Sequence, residues 1–188
     1  MDTKFYKFIR PIVKFLVKFL FRVEVVGLDN IPNSGGVVLA GNHTRWLDPI
    51  MLVGVCNRQV HFLAKDSLFK GLVGVVVKGM GAIPVNRRIH DKNALKEAEK
   101  RLNNNIVVGV FPEGTINRTS EIIMPFKIGA VKMSYDTSSY LVPFVITGKY
   151  KLFRKSIKVE FLNKRKISED LTLENKKLEN TIIKKLEV

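Results

Sequence analysis

Val37-Val38-Leu39-Ala40-Gly41-Asn42-His43-Thr44-Arg45-Trp46-Leu47-Asp48-Pro49 is the stretch on which the reading of this chain turns. Val37 to Gly41 is a compact apolar run, the pattern of a strand buried on both faces. Pro49 to Val55 reads as the first turns of a helix, with Asp48 near its N-terminus. On one continuous helix a five-residue step turns about 140°, so His43 and Asp48 would diverge. A strand, a turn and then a helix would let them meet. A carboxylate on one ring nitrogen fixes the tautomer and leaves the other nitrogen as a general base. On spacing alone the blander reading, a loop histidine beside a helix-capping aspartate, is the stronger one.

Working outward, strand-like and helix-like segments alternate. Val23–Gly27, Val60–Ala64, Ala82–Val85, Ile106–Phe111 and Tyr140–Thr147 read as strands, and Ile157–Leu162 as an edge strand. Asp66–Lys78, Asp91–Asn104, Phe126–Tyr135 and Ser168–Leu186 read as helices, with Ser168 as the N-cap of the last. This alternation predicts a single α/β domain with a largely parallel central sheet flanked by helices. In such sheets a histidine at a strand's C-terminal end stands where sites are usually built.

At 188 residues the chain is one domain, or one domain with an appendage. The single cysteine, Cys56, excludes an internal disulfide and a cysteine-based metal cluster. The net charge of +15 draws the chain to polyanions: nucleic acid, an anionic membrane surface or phosphorylated substrates. No run of 18 uncharged apolar residues exists, so a standard spanning helix is not expected.

Residues 1–22 form a segment apart from 23–188. Turned at about 100° per residue, Lys4, Lys7, Arg10, Lys14, Lys18 and Arg22 fall on one arc. Phe5, Phe8, Ile9, Ile12, Phe15, Leu16, Phe19 and Leu20 lie opposite. Such a helix suits the membrane interface, its rings in the acyl boundary and its lysines on anionic headgroups. The alternative is a helix that covers the domain's own core.

Three further stretches bear on chemistry. Gly81-Ala82-Ile83-Pro84-Val85-Asn86-Arg87-Arg88 brings two arginines to the end of a strand, and arginine suits forked phosphate recognition. A solvated loop with incidental cations explains the same residues equally well. In Phe111-Pro112-Glu113-Gly114-Thr115 a strand ends, proline blocks its continuation and glycine permits an unusual backbone angle. The amides of Gly114 and Thr115 could approach a phosphate or an oxyanion, or the segment is a tight structural turn. Pro143, inside Leu141–Val145, argues for an edge or bulge position. There is no Gly-x-Ser-x-Gly elbow for a serine nucleophile. His61 and His90 stand apart from any metal-ligand spacing, and no metal site is expected. His61 reads as a core or sheet-face histidine.

Taken together and in order, these blocks resemble the phospholipid/glycerol acyltransferase family, in particular the lysophosphatidic acid acyltransferases. Asn42-His43 to Asp48 matches an Asn-His-x-x-x-x-Asp block, and Gly81 to Arg87 matches a Gly-x-x-x-x-x-Arg block. Phe-Pro-Glu-Gly-Thr is present outright at 111–115, and Val142-Pro143 matches a short apolar block around a proline. Lys127 and Gly129 resemble the family's Phe-Lys-x-Gly segment. Ile116 stands where the family commonly has arginine, and Arg118 comes two positions later. The resemblance runs from about residue 25 to 150.

The resemblance implies transfer of a fatty acyl group from acyl-CoA or acyl-carrier protein to the hydroxyl of 1-acyl-glycerol-3-phosphate, giving phosphatidic acid. His43 would be the general base and Asp48 its orienting partner. Arg87 would hold the acceptor's phosphate, with Asn86, Glu113, Gly114 and Thr115 completing the acceptor site. The physical chemistry agrees: a neutral hydroxyl needs a base, a phosphate needs cations and a tetrahedral intermediate needs donors. No cofactor is expected beyond the donor substrate. The partners expected are an anionic membrane surface, a lysophospholipid acceptor and the thioester donor, with the enzyme peripheral or monotopic on the cytoplasmic face. Glycerol-3-phosphate, another lysophospholipid or an ornithine lipid are alternative acceptors. A non-catalytic basic protein binding membrane or nucleic acid is the reading from another class. Twelve basic residues lie beyond Gly148, but no nucleic-acid-binding motif accompanies them.

Overall fold

A computed structural model describes residues 4–86, 88–89 and 91–187. Helix α1 (Lys4–Phe21) leads into strand β1 (Glu24–Val26), then β2 (Val37–Gly41), α2 (Asp48–Val55) and β3 (Val60–Lys65). Helix α3 (Gly71–Gly79), β4 (Ile83–Val85), α4 (Lys92–Asn103), β5 (Val107–Val110) and α5 (Gly129–Asp136) follow. The chain closes with β6 (Tyr140–Gly148), β7 (Ile157–Phe161) and α6 (Leu171–Leu186).

The seven strands form one sheet in the order β1-β7-β6-β2-β5-β3-β4. All neighbouring pairs are parallel except β6 with β7. Alternate residues of each strand feed opposite cores. Val37 and Leu39 point to the face covered by α1 and α2; Val38 and Ala40 point to the face covered by α4, α5 and α6. The result is a three-layer α/β domain, as the alternation of elements predicts. Because β2, β3, β4, β5 and β6 run the same way, the segments after β2, β4 and β5 emerge on one edge of the sheet. That edge carries the site.

One expectation about the sheet needs correcting and another is narrowed. The segment 157–162 is no edge strand, because β7 lies between β1 and β6. Its alternating burial resembles that of an edge because Ile157, Val159 and Phe161 face the core while Lys158 and Glu160 stay partly exposed on the other face. Pro143 also sits in an interior strand, and the bulge alternative explains it. Leu162 N–H donates to Pro143 C=O, so the proline nitrogen faces the side where β7 has just ended. The next pairing is Leu141 with Arg165, three residues on along one chain against two along the other. The missing N–H therefore falls in a one-residue bulge.

The segment 66–78 is split, with a 3-10 turn at Asp66–Phe69 and α3 beginning after an extended Lys70. The N-cap of α6 is Asp170, whose carboxylate accepts from Leu173 N–H, whereas Ser168 Oγ donates to Glu174. His61 is fully buried, hydrogen-bonded to Gln59 and Arg101. Arg87 and His90 lie outside the described residues.

Helix α1 carries two apolar stripes. Tyr6, Val13 and Val17 pack on the domain, and Gly54 of α2 lets Val17 approach to a distance that a Cβ would close to 2.8 Å. Tyr6 Oη accepts from Val60 N–H, and Arg10 donates to Cys56 C=O at 2.7 Å. Phe8, Ile12, Phe15 and Phe19 form the second stripe and are exposed. The core-covering alternative for this helix is met by the first stripe, and the second stripe is left open.

Candidate active site

His43 follows β2 directly, and Asp48 opens α2. The turn between them brings His43 Nδ1 to 2.9 Å from Asp48 Oδ2. Asp48 is fully buried and His43 nearly so. The same Oδ2 accepts from the backbone N–H groups of Thr44 and Arg45, at 2.7 and 2.8 Å. The turn thus wraps around the carboxylate, which neutralises the cost of burying it. Phe111 stacks on the imidazole, ring centroids 4.0 Å apart, and fixes its plane.

The Phe111–Thr115 segment, at the end of β5, closes over His43. Glu113 is buried, and its Oε1 accepts from His43 N–H at 2.8 Å. Its Oε2 accepts from Met124 N–H at 2.9 Å. Asn117 N–H in turn donates to His43 C=O at 2.9 Å. Glu113 was expected to help bind the acceptor, but both of its oxygens hold backbone. Burial pushes its carboxyl upward, opposed by the two amides it accepts from. Gly114 adopts φ of 74°, as the turn requires, and its amide donates to Phe111 C=O. Of the two amides considered for an oxyanion, that of Thr115 is the one without a partner among the described residues. Asn86 stands at the end of β4, its N–H donating to Asp91 and its Oδ1 accepting from Arg88 N–H.

Residues 22–147 match the family described as Acyltransferase. The chain is 36% identical over 145 residues to the 1-acyl-sn-glycerol-3-phosphate acyltransferase of Bacillus subtilis, covering 76% of this chain and 71% of that protein. It is 33% identical over 139 residues to the protein of the same name in Borreliella burgdorferi, covering 72% and 55%. The chain belongs to the acyltransferase family. The crystal structure of the 1-acyl-sn-glycerophosphate acyltransferase PlsC from Thermotoga maritima shares its fold, with a TM-score of 0.76 at 21% identity, over 97% of this chain and 80% of that one.

In this acyltransferase the reading of isolated motifs missed several supports. Asn42 forms a two-bond clamp on Ile146 of β6, Nδ2 donating to its C=O and Oδ1 accepting its N–H, at 2.9 and 2.8 Å. This locks the end of β2, and so the start of the histidine turn, to its neighbour. Tyr150 donates its hydroxyl to Asp48 Oδ1 at 2.5 Å. Burial, then the charge of Asp48, push that phenol far above its usual range, so it stays a donor. Asn42 was legible as part of its block; Tyr150 belongs to no block and gave no signal. Beside Phe111 and Gly114 opens a mostly apolar cleft of about 390 Å³, lined by Leu63, Val85, Leu95, Val110 and Met133, with Asn86 and Lys127 among its polar residues. Among the described residues no cluster of His, Cys, Asp and Glu could hold a metal ion.

Proposed function

We propose that this acyltransferase moves a fatty acyl group from a thioester donor, acyl-CoA or acyl-carrier protein, to the free hydroxyl of 1-acyl-glycerol-3-phosphate. The product is phosphatidic acid. The observation that carries the reading is the buried His43–Asp48 pair at 2.9 Å, in a block order shared with relatives named for this reaction. With Nδ1 committed to Asp48, Nε2 takes the proton of the acceptor hydroxyl as its oxygen attacks the thioester carbonyl. The tetrahedral intermediate then collapses, the C–S bond breaks, and the thiol leaves with the proton His43 took. Thr115 N–H is the available donor for the oxyanion. Arg87, with Asn86, holds the acceptor's phosphate, and Glu113 and Gly114 shape the turn that presents His43. The apolar cleft beside Phe111 suits a lipid chain.

The test is an assay of purified protein with lysophosphatidic acid, other lysophospholipids, glycerol-3-phosphate and an ornithine lipid, each with both donor types. Turnover fastest with lysophosphatidic acid is expected. Preference for an acceptor lacking phosphate sinks the assignment of Arg87 and with it this acceptor.

The reaction takes place at the cytoplasmic face of a membrane. No described helix is long and apolar enough to cross one. The exposed Phe8, Ile12, Phe15 and Phe19, flanked by lysines, make an interfacial foot. Leu72, Val73, Val75 and Val76 of α3 are also exposed. Replacing Phe8, Phe15 and Phe19 together by serine should weaken binding to phosphatidylglycerol-containing vesicles at least about a hundredfold, since each buried ring is worth about 1.5–3 kcal/mol. Phe8 and Phe15 contact little of the domain and Phe19 gives up its edge-on contact with Phe153, so the fold should stand. Sedimentation with vesicles measures the effect, and unchanged binding would remove α1 as the foot.

A further inference from the structure

The loop 149–156 after β6 reaches from the catalytic pair to the end of the amphipathic helix. Lys149 N–H donates to Ser156 C=O, and Ser156 Oγ donates to Lys149 C=O, closing its base. At its tip Phe153 N–H donates to Leu20 C=O, and the Phe153 ring meets Phe19 edge-on. Between base and tip, Tyr150 sets its ring edge-on against Phe21, the last residue of α1, at 5.6 Å. Its hydroxyl meets Asp48 Oδ1 at 2.5 Å. The two oxygens of Asp48 are served unequally. Oδ2 takes His43 Nδ1 and two backbone amides, whereas Oδ1 has Tyr150 and a long 3.5 Å contact from Thr44 Oγ1.

We propose that Tyr150 is a positioning residue of the His43–Asp48 pair. Its hydroxyl fixes the rotation of the carboxylate and solvates the oxygen that faces away from His43, and its ring is held by Phe21. This rests on the reading of His43 as the base. Tyr150 touches neither substrate nor reacting atoms; it acts through Asp48 alone. A hydrogen bond donated to a carboxylate withdraws part of its charge. Without it the carboxylate holds a protonated imidazole more tightly, so the base is lost at a higher pH. The charged or titratable groups facing Asp48 are His43, Arg45, Glu113 and Tyr150 itself. The first three remain in place when the phenol is replaced.

The test is Tyr150→Phe, which keeps the ring on Phe21, measured with lysophosphatidic acid and acyl-CoA on vesicles. We expect kcat to fall about tenfold, because a carboxylate free to rotate misplaces the imidazole and this outweighs its firmer hold on the imidazolium, with both KM values within about twofold of the parent. The acidic limb of kcat/KM should move to higher pH by about half a unit, the signature of a changed partner for the base. Phe21→Leu keeps the hydroxyl and loosens its support, and should lower kcat about threefold with the limb moving the same way. If Tyr150→Phe does not fold, Phe21→Leu decides alone. Parent-like kcat, or a lower kcat with an unmoved limb, overturns the proposal. His43→Ala separates the two readings. Turnover surviving in His43→Ala removes the base, whereas an inactive His43→Ala beside a parent-like Tyr150→Phe removes only the role of Tyr150.

Discussion

His43→Ala should lower kcat about a thousandfold while leaving a folded protein that still binds vesicles. A positioned general base contributes about 10²–10⁴-fold, and among the described residues no second histidine stands free to substitute, His61 being committed to Gln59 and Arg101. The fold should survive because Asp48 keeps three donors: the amides of Thr44 and Arg45 and the hydroxyl of Tyr150. The backbone bonds of residue 43 to Glu113 and Asn117 do not involve its side chain and also persist. What is lost is the ring's contact with Phe111, so a stability cost of about 1–2 kcal/mol is expected. Acyl transfer and thermal unfolding measured on one preparation check both halves. A variant with half the parent's turnover would mean that another group takes the proton.

The contrast between the fold and the site shows what the chain's local patterns encode. The parallel core was legible because its strands are continuous apolar runs, Val37–Gly41 and Ile106–Phe111 among them, which a buried sheet requires. Helix α4 was legible because polar and apolar residues alternate with the helical period, and Asp91 caps it through Asn93 and Ala94. The place of β7 was not legible, because its neighbour β1 lies over 130 residues earlier in the chain, Glu24 opposite Lys158, and nothing local records that pairing. The same holds within the site. His43 and Asp48 are five residues apart and their turn is local, so the pair could be anticipated. Tyr150 reaches Asp48 across 102 residues, and only the packing of α1, β6 and the loop after it puts the phenol there. The third block was expected to complete the acceptor site, and the folded turn shows what Glu113 holds there. Glu113 was placed in that site by the resemblance alone. Its two backbone partners, His43 and Met124, appear only once the turn is folded.

Asp48→Asn is the sharper test of the pair, because it removes a charge and nearly preserves a shape. The oxygen of the new amide must face the Thr44 and Arg45 amides, which can only donate, so its NH2 must take the position of Oδ1. Tyr150 tolerates this by turning its hydroxyl to accept. The oxygen then still receives Nδ1–H of His43, and the tautomer is kept. The anion that stabilises the imidazolium formed as the acceptor hydroxyl loses its proton is gone. The expected result is a loss in kcat of about a thousandfold with KM values nearly unchanged, the acidic limb of kcat/KM moving to lower pH. That displacement is opposite to the one expected of Tyr150→Phe, because one variant removes the negative charge and the other concentrates it. Asp48→Ala should behave differently again: the donors converging on the carboxylate lose their acceptor inside the protein, and unfolding should cost about 3 kcal/mol less than in the parent. The two variants therefore divide the work of one side chain, its charge being spent on catalysis and its oxygens on holding the turn. An Asp48→Asn protein with parent-like turnover would show that the carboxylate serves the turn alone.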